Sequence, residues 1–377
     1  MLKLRFWALC LPSILLLSCK ADVGDPSHVL IDSFSEKSTA SFIEDVYSDV
    51  RLVPLELDGH LLGSSMLMLL EQAGEGYILT DRQSQAGYLF NPDGSLRTYI
   101  SKVGRGPGEY NSLEHVKYQD HKIVALADGD HVIEYSEAGD LIRESFLDYD
   151  FMDFQLFRDK GAAFLVSRSD GEDEVCDRII FTDTLFQKTA SFFPQAFQLF
   201  NYESHLSRVG DDEYLYVPVT STQIYQCRMD EVVKTYDIDL HGKEFPDSIL
   251  KADDFEVMLD VMMRTPEIYY VPQAFENQDF LLLGLGNIID GEDKDSGVWL
   301  IDLKDMSSRI EYCEQKSVEY SFFGPPQMLT PDNEVVFICD LSLYDEVKNS
   351  VPGLSRYDSL FADCPSDSAL LFCKIGE

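Results

Sequence analysis

Seven consecutive residues, Gly104-Arg105-Gly106-Pro107-Gly108-Glu109-Tyr110, form the densest chemical motif in the chain. Three glycines alternating around a proline permit positive φ and close backbone approach, and successive N–H groups in such a loop can form a nest for an anion. The run is not a Walker loop, because no Lys-Ser/Thr follows it. Nor is it a dinucleotide fingerprint, because the G-x-G-x-x-G spacing is absent. Two readings remain. In the first, toward which the residue types lean, the run is a tight connection with Tyr110 packed as an anchor. In the second it is a ligand site: Arg105 and Glu109 face a binding mouth, and Gly106, Gly108 and Tyr110 complete the candidate set.

Other constellations are weaker. The sequence has no G-x-S-x-G elbow and no H-E-x-x-H pair. His115, His121 and His131 lie close together, but their spacings match no zinc pattern, and they read as surface or turn histidines around a hairpin. The acidic run from Asp290 to Gly297 suggests Ca²⁺ but lacks the EF-hand order and its closing glutamate, so it reads as an exposed acidic turn. Carboxylates are too numerous for a glycosidase pair to be singled out. No catalytic residue and no metal ligand is assigned. No cofactor is expected, Ca²⁺ being the one that the composition leaves open.

The elements that must position these residues are short β-branched and aromatic strands between Gly, Asp, Asn and Pro turns. Hairpins are predicted for Tyr77–Thr80 with Tyr88–Phe90, Lys122–Leu126 with Val132–Tyr135, Ala163–Val166 with Ile179–Phe181, and Tyr214–Val217 with Gln223–Tyr225. Phe90, Tyr135, Phe181 and Tyr225 recur at intervals of 45, 46 and 44 residues. A period of that length filled by about four strands is the signature of a propeller blade. Later units end in Val298–Ile301 and Leu370–Cys373, and the loop 340–366 decorates the last blade. The expectation is an all-β, six-bladed β-propeller over residues 28–377. Strand His28–Ile31 is expected to join the last sheet and close the ring. Phe255, Met258, Leu259, Met262 and Met263 form a helical stripe inside an insertion at about 247–265, capped by Asp253 or Asp254 and ended by Pro266. That stripe packs on the blades or offers an adaptable contact surface.

The N-terminus speaks to location. Lys3 and Arg5 precede an apolar stretch from Phe6 to Leu17, the layout of a secretory signal peptide over residues 1–18. The stretch is too short for a permanent span, which needs about 20 apolar residues. Leu16-Leu17-Ser18-Cys19 resembles the lipobox of bacterial lipoproteins, in which Cys19 carries the lipid, with residues 19–27 as a tether. Loss of residues 1–18 removes two of 30 basic and none of 67 acidic residues, leaving 28 − 67 = −39. Such a surface disfavours nucleic acid as a partner, since phosphate binding needs clustered Lys and Arg. Apolar residues at 45% and aromatics at 12% support a substantial core. Of the cysteines, Cys176, Cys227, Cys313, Cys339, Cys364 and Cys373 remain for pairing. Cys364–Cys373 could clip a final hairpin, while Cys227, Cys339 and Cys373 read equally well as small buried hydrophobes.

Val53-Pro54-Leu55-Glu56, then Gly63, then a blade ending in Gly104–Tyr110 resembles the six-bladed β-propeller lipoproteins of Bacteroides-type bacteria, a family broadly similar to NHL-repeat propellers. The resemblance implies an outer-membrane or other cell-envelope location and a binding or scaffold role, and carries over no catalytic residue. The leading expectation is a lipid-anchored, non-enzymatic module for a glycan, a peptide or an envelope protein. The alternative is a metal-assisted lyase or lactonase working at the mouth of the axial channel.

Overall fold

The computed structural model describes residues 27–166, 177–194, 206–218, 221–246, 255–289 and 292–376. The expected signal segment, Cys19 and the expected tether up to residue 26, as well as Cys176, Asp253, Asp254 and Asp290-Gly291, lie outside them.

Two strands precede the blades, β1 (Ser27–Ile31) and β2 (Tyr47–Pro54). Blade I is β3 (Met68–Ala73), β4 (Gly76–Asp81), β5 (Ala86–Phe90) and β6 (Leu96–Ile100). Blade II is β7 (Leu113–Gln119), β8 (Lys122–Ala127), β9 (His131–Ser136) and β10 (Leu141–Phe146). Blade III is β11 (Phe151–Phe157), β12 (Gly161–Val166), β13 (Asp177–Thr182) and β14 (Lys188–Pro194). Blade IV is β15 (Leu206–Arg208), β16 (Glu213–Tyr216), β17 (Gln223–Arg228) and β18 (Glu231–Ile238). Blade V is β19 (Glu267–Tyr270), β20 (Ala274–Glu276), β21 (Phe280–Ile289), β22 (Glu292–Asp302) and β23 (Ser308–Glu314). Blade VI is β24 (Met328–Leu329), β25 (Glu334–Asp340) and β26 (Ser368–Ile375), with β2 as its outer strand. The fold is the expected six-bladed β-propeller.

Blade packing explains the strand composition. Each sheet is covered on both faces by its neighbours, so β4, β8 and β12 are buried almost throughout rather than on alternate residues. The anchors that mark the repeat lie at or next to the end of the third strand in blades I to III: Phe90, Tyr135 and Phe181 are all at most 3% exposed. In blade IV the equivalent residue is Cys227, fully buried, and not Tyr225, which is only half-buried. The spacing is therefore 45, 46 and 46 residues; a cysteine fills the aromatic position and hid the register.

The ring closes differently from the expectation. β2 pairs antiparallel with β26 from Tyr47↔Ile375 to Pro54↔Ala369, so the early chain completes the last sheet. β1, expected in that role, lies instead parallel to β18 on the outer edge of blade IV. The reason is reach. β2 leads by one crossover into β3, whereas β1 is separated from blade I by the 37 − 1 = 36 residues between Ile31 and Met68. Residues 32–46 cross blade V between these two strands. The Thr39 amide donates to the Ile310 carbonyl at 2.8 Å, the Tyr312 amide donates to Ser38 Oγ at 3.0 Å, and the Phe34 ring sits 5.0 Å from Tyr269. A single N-terminal belt thus covers the outer edges of blades IV, V and VI, edges that would otherwise offer unpaired N–H and C=O groups.

Alternation of strand direction defines two faces. One carries the turns between first and second and between third and fourth strands. The other carries the crossovers between blades and the loops between second and third strands, including the Gly104–Tyr110 loop. The helices are on this crossover face: α1 (Phe255–Arg264), α2 (Val318–Phe323), α3 (Tyr344–Val347) and α4 (Asp358–Ala362). α1 ends before Pro266, as expected; the side chains of Phe255, Met258, Leu259 and Met262 lie outside the described set, and Met263 is 63% exposed.

Cys227, Cys313, Cys339, Cys364 and Cys373 are free thiols, so the Cys364–Cys373 clip does not form. Cys373 is buried inside β26, opposite Val335, and so is held away from the loop that carries Cys364. Glu292–Gly297, expected in an acidic turn, instead extends β22 in register with β21 and β23.

Candidate functional site

The inner strands β3, β7, β11, β15, β20 and β24 stand side by side around an axial channel, and the Leu70 amide donates to Gln327 Oε1 at 3.2 Å where the last blade meets the first. The channel holds a cavity of 820 Å³ that reaches the turn face, where Gly74, Val209, Gln278 and Asp332 edge it. Tyr77, Phe275 and Phe372 contribute aromatic surface to its wall, and Gln72, Gln226, Gln273, Asn277 and Gln327 contribute amides.

Inside the ring, three blades are joined by charge. His115 Nδ1 lies 2.7 Å from Asp153 Oδ1, and His115 Nε2 lies 3.3 Å from Glu71 Oε1. Lys117 pairs with Glu71, lies 3.9 Å from Asp153 Oδ1, and donates to Gln155 Oε1 at 3.4 Å. Asp153 Oδ2 accepts from the Leu206 amide at 2.9 Å, extending the network to blade IV. Asp153 and His115 are 1% and 0% exposed, and Lys117 is 2% exposed. Burial by itself would raise the Glu71 carboxyl, but the ammonium of Lys117 and the ring of His115 outweigh it and hold Glu71 down at about 2.

The sequence expectation for the histidines is corrected here. His121 is indeed exposed at a turn, but His115 and His131 are buried strand residues, His115 against the neighbouring blades and His131 against the outer strand of its own. His131 stacks on Phe146 at 4.2 Å and lies 3.2 Å from Glu144. The charged cluster is not legible in the sequence because each member looks ordinary alone. Its signal is a polar residue repeated at i and i+2 in the first strand of a blade, His115-x-Lys117 and Asp153-x-Gln155, which places both side chains on one face of the strand.

Across the channel, blades IV and V carry a second polar group. Lys234 Nζ donates to Glu276 Oε1 at 2.8 Å and to Tyr236 Oη at 2.9 Å. Burial first, then the Glu276 charge, pushes the Tyr236 phenol up, so it remains a neutral hydroxyl. Gln226 Nε2 donates to Glu213 Oε2 at 3.0 Å. Three residues of the cavity wall here, Ser207, Gln226 and Glu276, each carry one buried side-chain oxygen, Oγ, Oε1 and Oε2 respectively, that meets no hydrogen-bond donor among the described residues within ordinary geometry. Leaving such atoms unpaired is costly, so they mark where something polar belongs.

The Gly104–Tyr110 loop joins β6 to β7. Tyr110 is fully buried, and its hydroxyl donates to the Gln85 carbonyl at 2.9 Å. Gly108 has φ of +69°, which a Cβ would strain, and its carbonyl accepts from Tyr135 Oη at 2.7 Å. Protein carboxylates already occupy the loop's amides: Gly106 N donates to Glu109 Oε2 at 2.7 Å and Gly108 N to Glu144 Oε1 at 2.9 Å. Arg105 and Glu109 are exposed. Thus Arg105, Gly106, Gly108, Glu109 and Tyr110 are brought together, yet none of them lines the axial cavity. Among the described residues, no group of three or more His, Cys, Asp or Glu side chains is placed to hold a metal ion.

The fold has solved counterparts. A Bacteroides fragilis protein described as exported is 18% identical and superposes with a TM-score of 0.72, covering 93% of this chain and 100% of its own. A member of the DUF4221 family from Bacteroides vulgatus is 10% identical, with a TM-score of 0.55 and coverage of 88% and 98%. At these identities the likeness is one of fold. No curated protein sequence matches the chain. A domain of unknown function, DUF4934, matches residues 29–357, and the chain therefore belongs to the DUF4934 family.

Proposed function

We propose that this protein is an exported, lipid-anchored β-propeller of the cell envelope that binds a neutral, hydroxyl-rich ligand, a glycan, in its axial channel without chemically transforming it. The observation that carries this reading is the trio Ser207 Oγ, Gln226 Oε1 and Glu276 Oε2, buried and unpartnered on the channel wall. Two of the three are obligate acceptors and the third is a hydroxyl, so a ligand that brings donors, directly or through a bound water, complements this wall. An anion without O–H or N–H groups brings none, whereas sugar hydroxyls both donate and accept, and Tyr77 and Phe275 offer apolar faces for the C–H side of a ring. Lys234 balances the Glu276 charge, which suits an uncharged ligand.

The anchor we place on Cys19, in the outer membrane, gives the molecule an orientation. β1 runs parallel to β18, from the turn face toward the crossover face, so the chain reaches Ser27 from the turn side. Seven residues between Cys19 and Ser27 span roughly 25–30 Å when extended. The turn face, with the channel opening, would then lie toward the bilayer and the helical decorations away from it.

The test is calorimetric titration of the mature protein with a panel of neutral oligosaccharides, beside Gln226→Leu and Ser207→Ala. A saccharide that binds the parent and loses at least about tenfold in affinity on either substitution supports the reading. Equal affinity in parent and variants, or heat from none of the panel, would remove the channel as a glycan site. Mass spectrometry of the mature N-terminus tests the anchor separately: an unmodified Cys19 refutes it.

A further inference from the structure

A second cavity, of 480 Å³, lies away from the axis between blades V and VI. Its walls come from β22, β23, α2 and the N-terminal belt at Phe42 and Ile43, and it stands independently of the channel reading. Two features set its chemistry. The first is aromatic: Phe42, Tyr47, Tyr312, Tyr320, Phe323 and Phe337 all face it. The second is charge. Glu311, Glu314 and Glu319 line the cavity, and no Lys, Arg or His does among the described residues.

Among the described residues, no Lys, Arg or His pairs with these carboxylates. Glu311 Oε2 accepts from the Phe42 amide at 3.0 Å, and its charged neighbour is Asp45, of like sign. Burial raises the Glu311 carboxyl, as it raises the Cys313 thiol, whose surroundings are made more negative by Glu319 and Glu311. Glu319 is held ionised by hydrogen bonds from Ser350 and Ser317. Tyr47 also borders the cavity; it is 5% exposed, and its hydroxyl has no partner. Aromatic faces beside uncompensated carboxylates attract a cation that carries apolar surface, through the ring quadrupoles and the carboxylate charge together.

We propose that the cavity between blades V and VI binds a small organic cation with an apolar body, an alkyl- or arylammonium compound. The ammonium sits between Glu311 and Glu319, and the apolar body packs against Tyr320 and Phe323. A bare metal cation does not fit the observations, because the aromatic wall would strip its hydration without replacing it, and no three ligating groups converge among the described residues.

The experiment uses matched probes that differ in charge at nearly constant shape: choline against 3,3-dimethylbutan-1-ol, and phenethylammonium against 2-phenylethanol. Each is titrated by calorimetry into the mature protein, into Glu311→Gln, and into Glu319→Gln. Gln at either position keeps the shape and an acceptor oxygen, so the fold survives, and circular dichroism with the Tm confirms it. The expected result is saturable binding of at least one cation, at least tenfold tighter than its neutral partner. It should weaken about tenfold in each carboxamide variant and further at high salt, and stay unchanged in Gln226→Leu of the axial channel. Neutral and charged partners binding equally, cation binding that survives both carboxamide substitutions, or no binding of either cation at millimolar concentration would each overturn the proposal.

Discussion

Replacing Asp153 by alanine tests whether the charge network in the inner ring holds the propeller together. The carboxylate is 1% exposed and accepts from His115 Nδ1 at 2.7 Å, the Phe154 amide at 2.8 Å and the Leu206 amide at 2.9 Å, with Lys117 Nζ at 3.9 Å. Asp153→Ala strips these donors of their acceptor and leaves Lys117 buried with Glu71 as its remaining carboxylate. Breaking a buried pair from one side costs about 3–5 kcal/mol, most of it the penalty of the charge left behind. For a domain of about 350 residues the unfolding entropy near 60 °C is roughly 0.7 kcal/mol/K, so the melting temperature should fall by about 4–7 °C. Differential scanning calorimetry of the parent and the variant at pH 7 measures it directly. Lys348→Ala, at an exposed pair with Asp345, serves as the surface control and should leave Tm within error. A fall for Asp153→Ala no larger than that of the control would refute the reasoning, because the inner charges would then be passengers rather than bonds between blades II, III and IV.

Two further outcomes are expected. Glu71 has a folded pKa of about 2, below its ordinary value of 4.5, so its contribution is present above pH 4.5 and lost as pH falls toward 2; the stability gap between parent and Glu71→Gln, followed by urea unfolding, should therefore be full at pH 7 and shrink progressively below pH 4.5. Because β2 and not β1 closes the ring, Val53→Lys, at a residue 7% exposed, should abolish cooperative unfolding or lower Tm far more than Val29→Lys in β1; equal effects, seen by thermal circular dichroism, would contradict the closure described above.

Much of the architecture could be read in advance because it is local. Strand length, alternation and turn residues place hairpins such as Tyr77–Phe90 without knowledge of the rest, and a repeat near 45 residues is visible wherever the same packing problem recurs. The repeat was lost where packing accepted a different residue: Cys227 fills the buried position held elsewhere by Phe90, Tyr135 and Phe181. Which early strand completes the last sheet was not legible, because both β1 and β2 have strand-forming residues and pairing depends on partners more than 300 residues away. The Gly104–Tyr110 run is conspicuous in the sequence through its glycine spacing, yet the carboxylate that occupies its Gly108 amide comes from Glu144, on the next blade's outer strand.

The sequence by itself determined that this chain would form repeated four-stranded sheets with a substantial core and an acidic surface, since these follow from periodicity and composition. Only the tertiary structure decided where its polar chemistry lies. Ring closure brings Glu71, His115, Lys117 and Asp153 from three blades into one network, leaves one side-chain oxygen each of Ser207, Gln226 and Glu276 without a donor around the axis, and gathers Glu311, Glu319 and an aromatic wall between two blades. Each of these residues looks unremarkable among its sequence neighbours. Their significance comes from burial and from distances between chain segments, which no local pattern encodes.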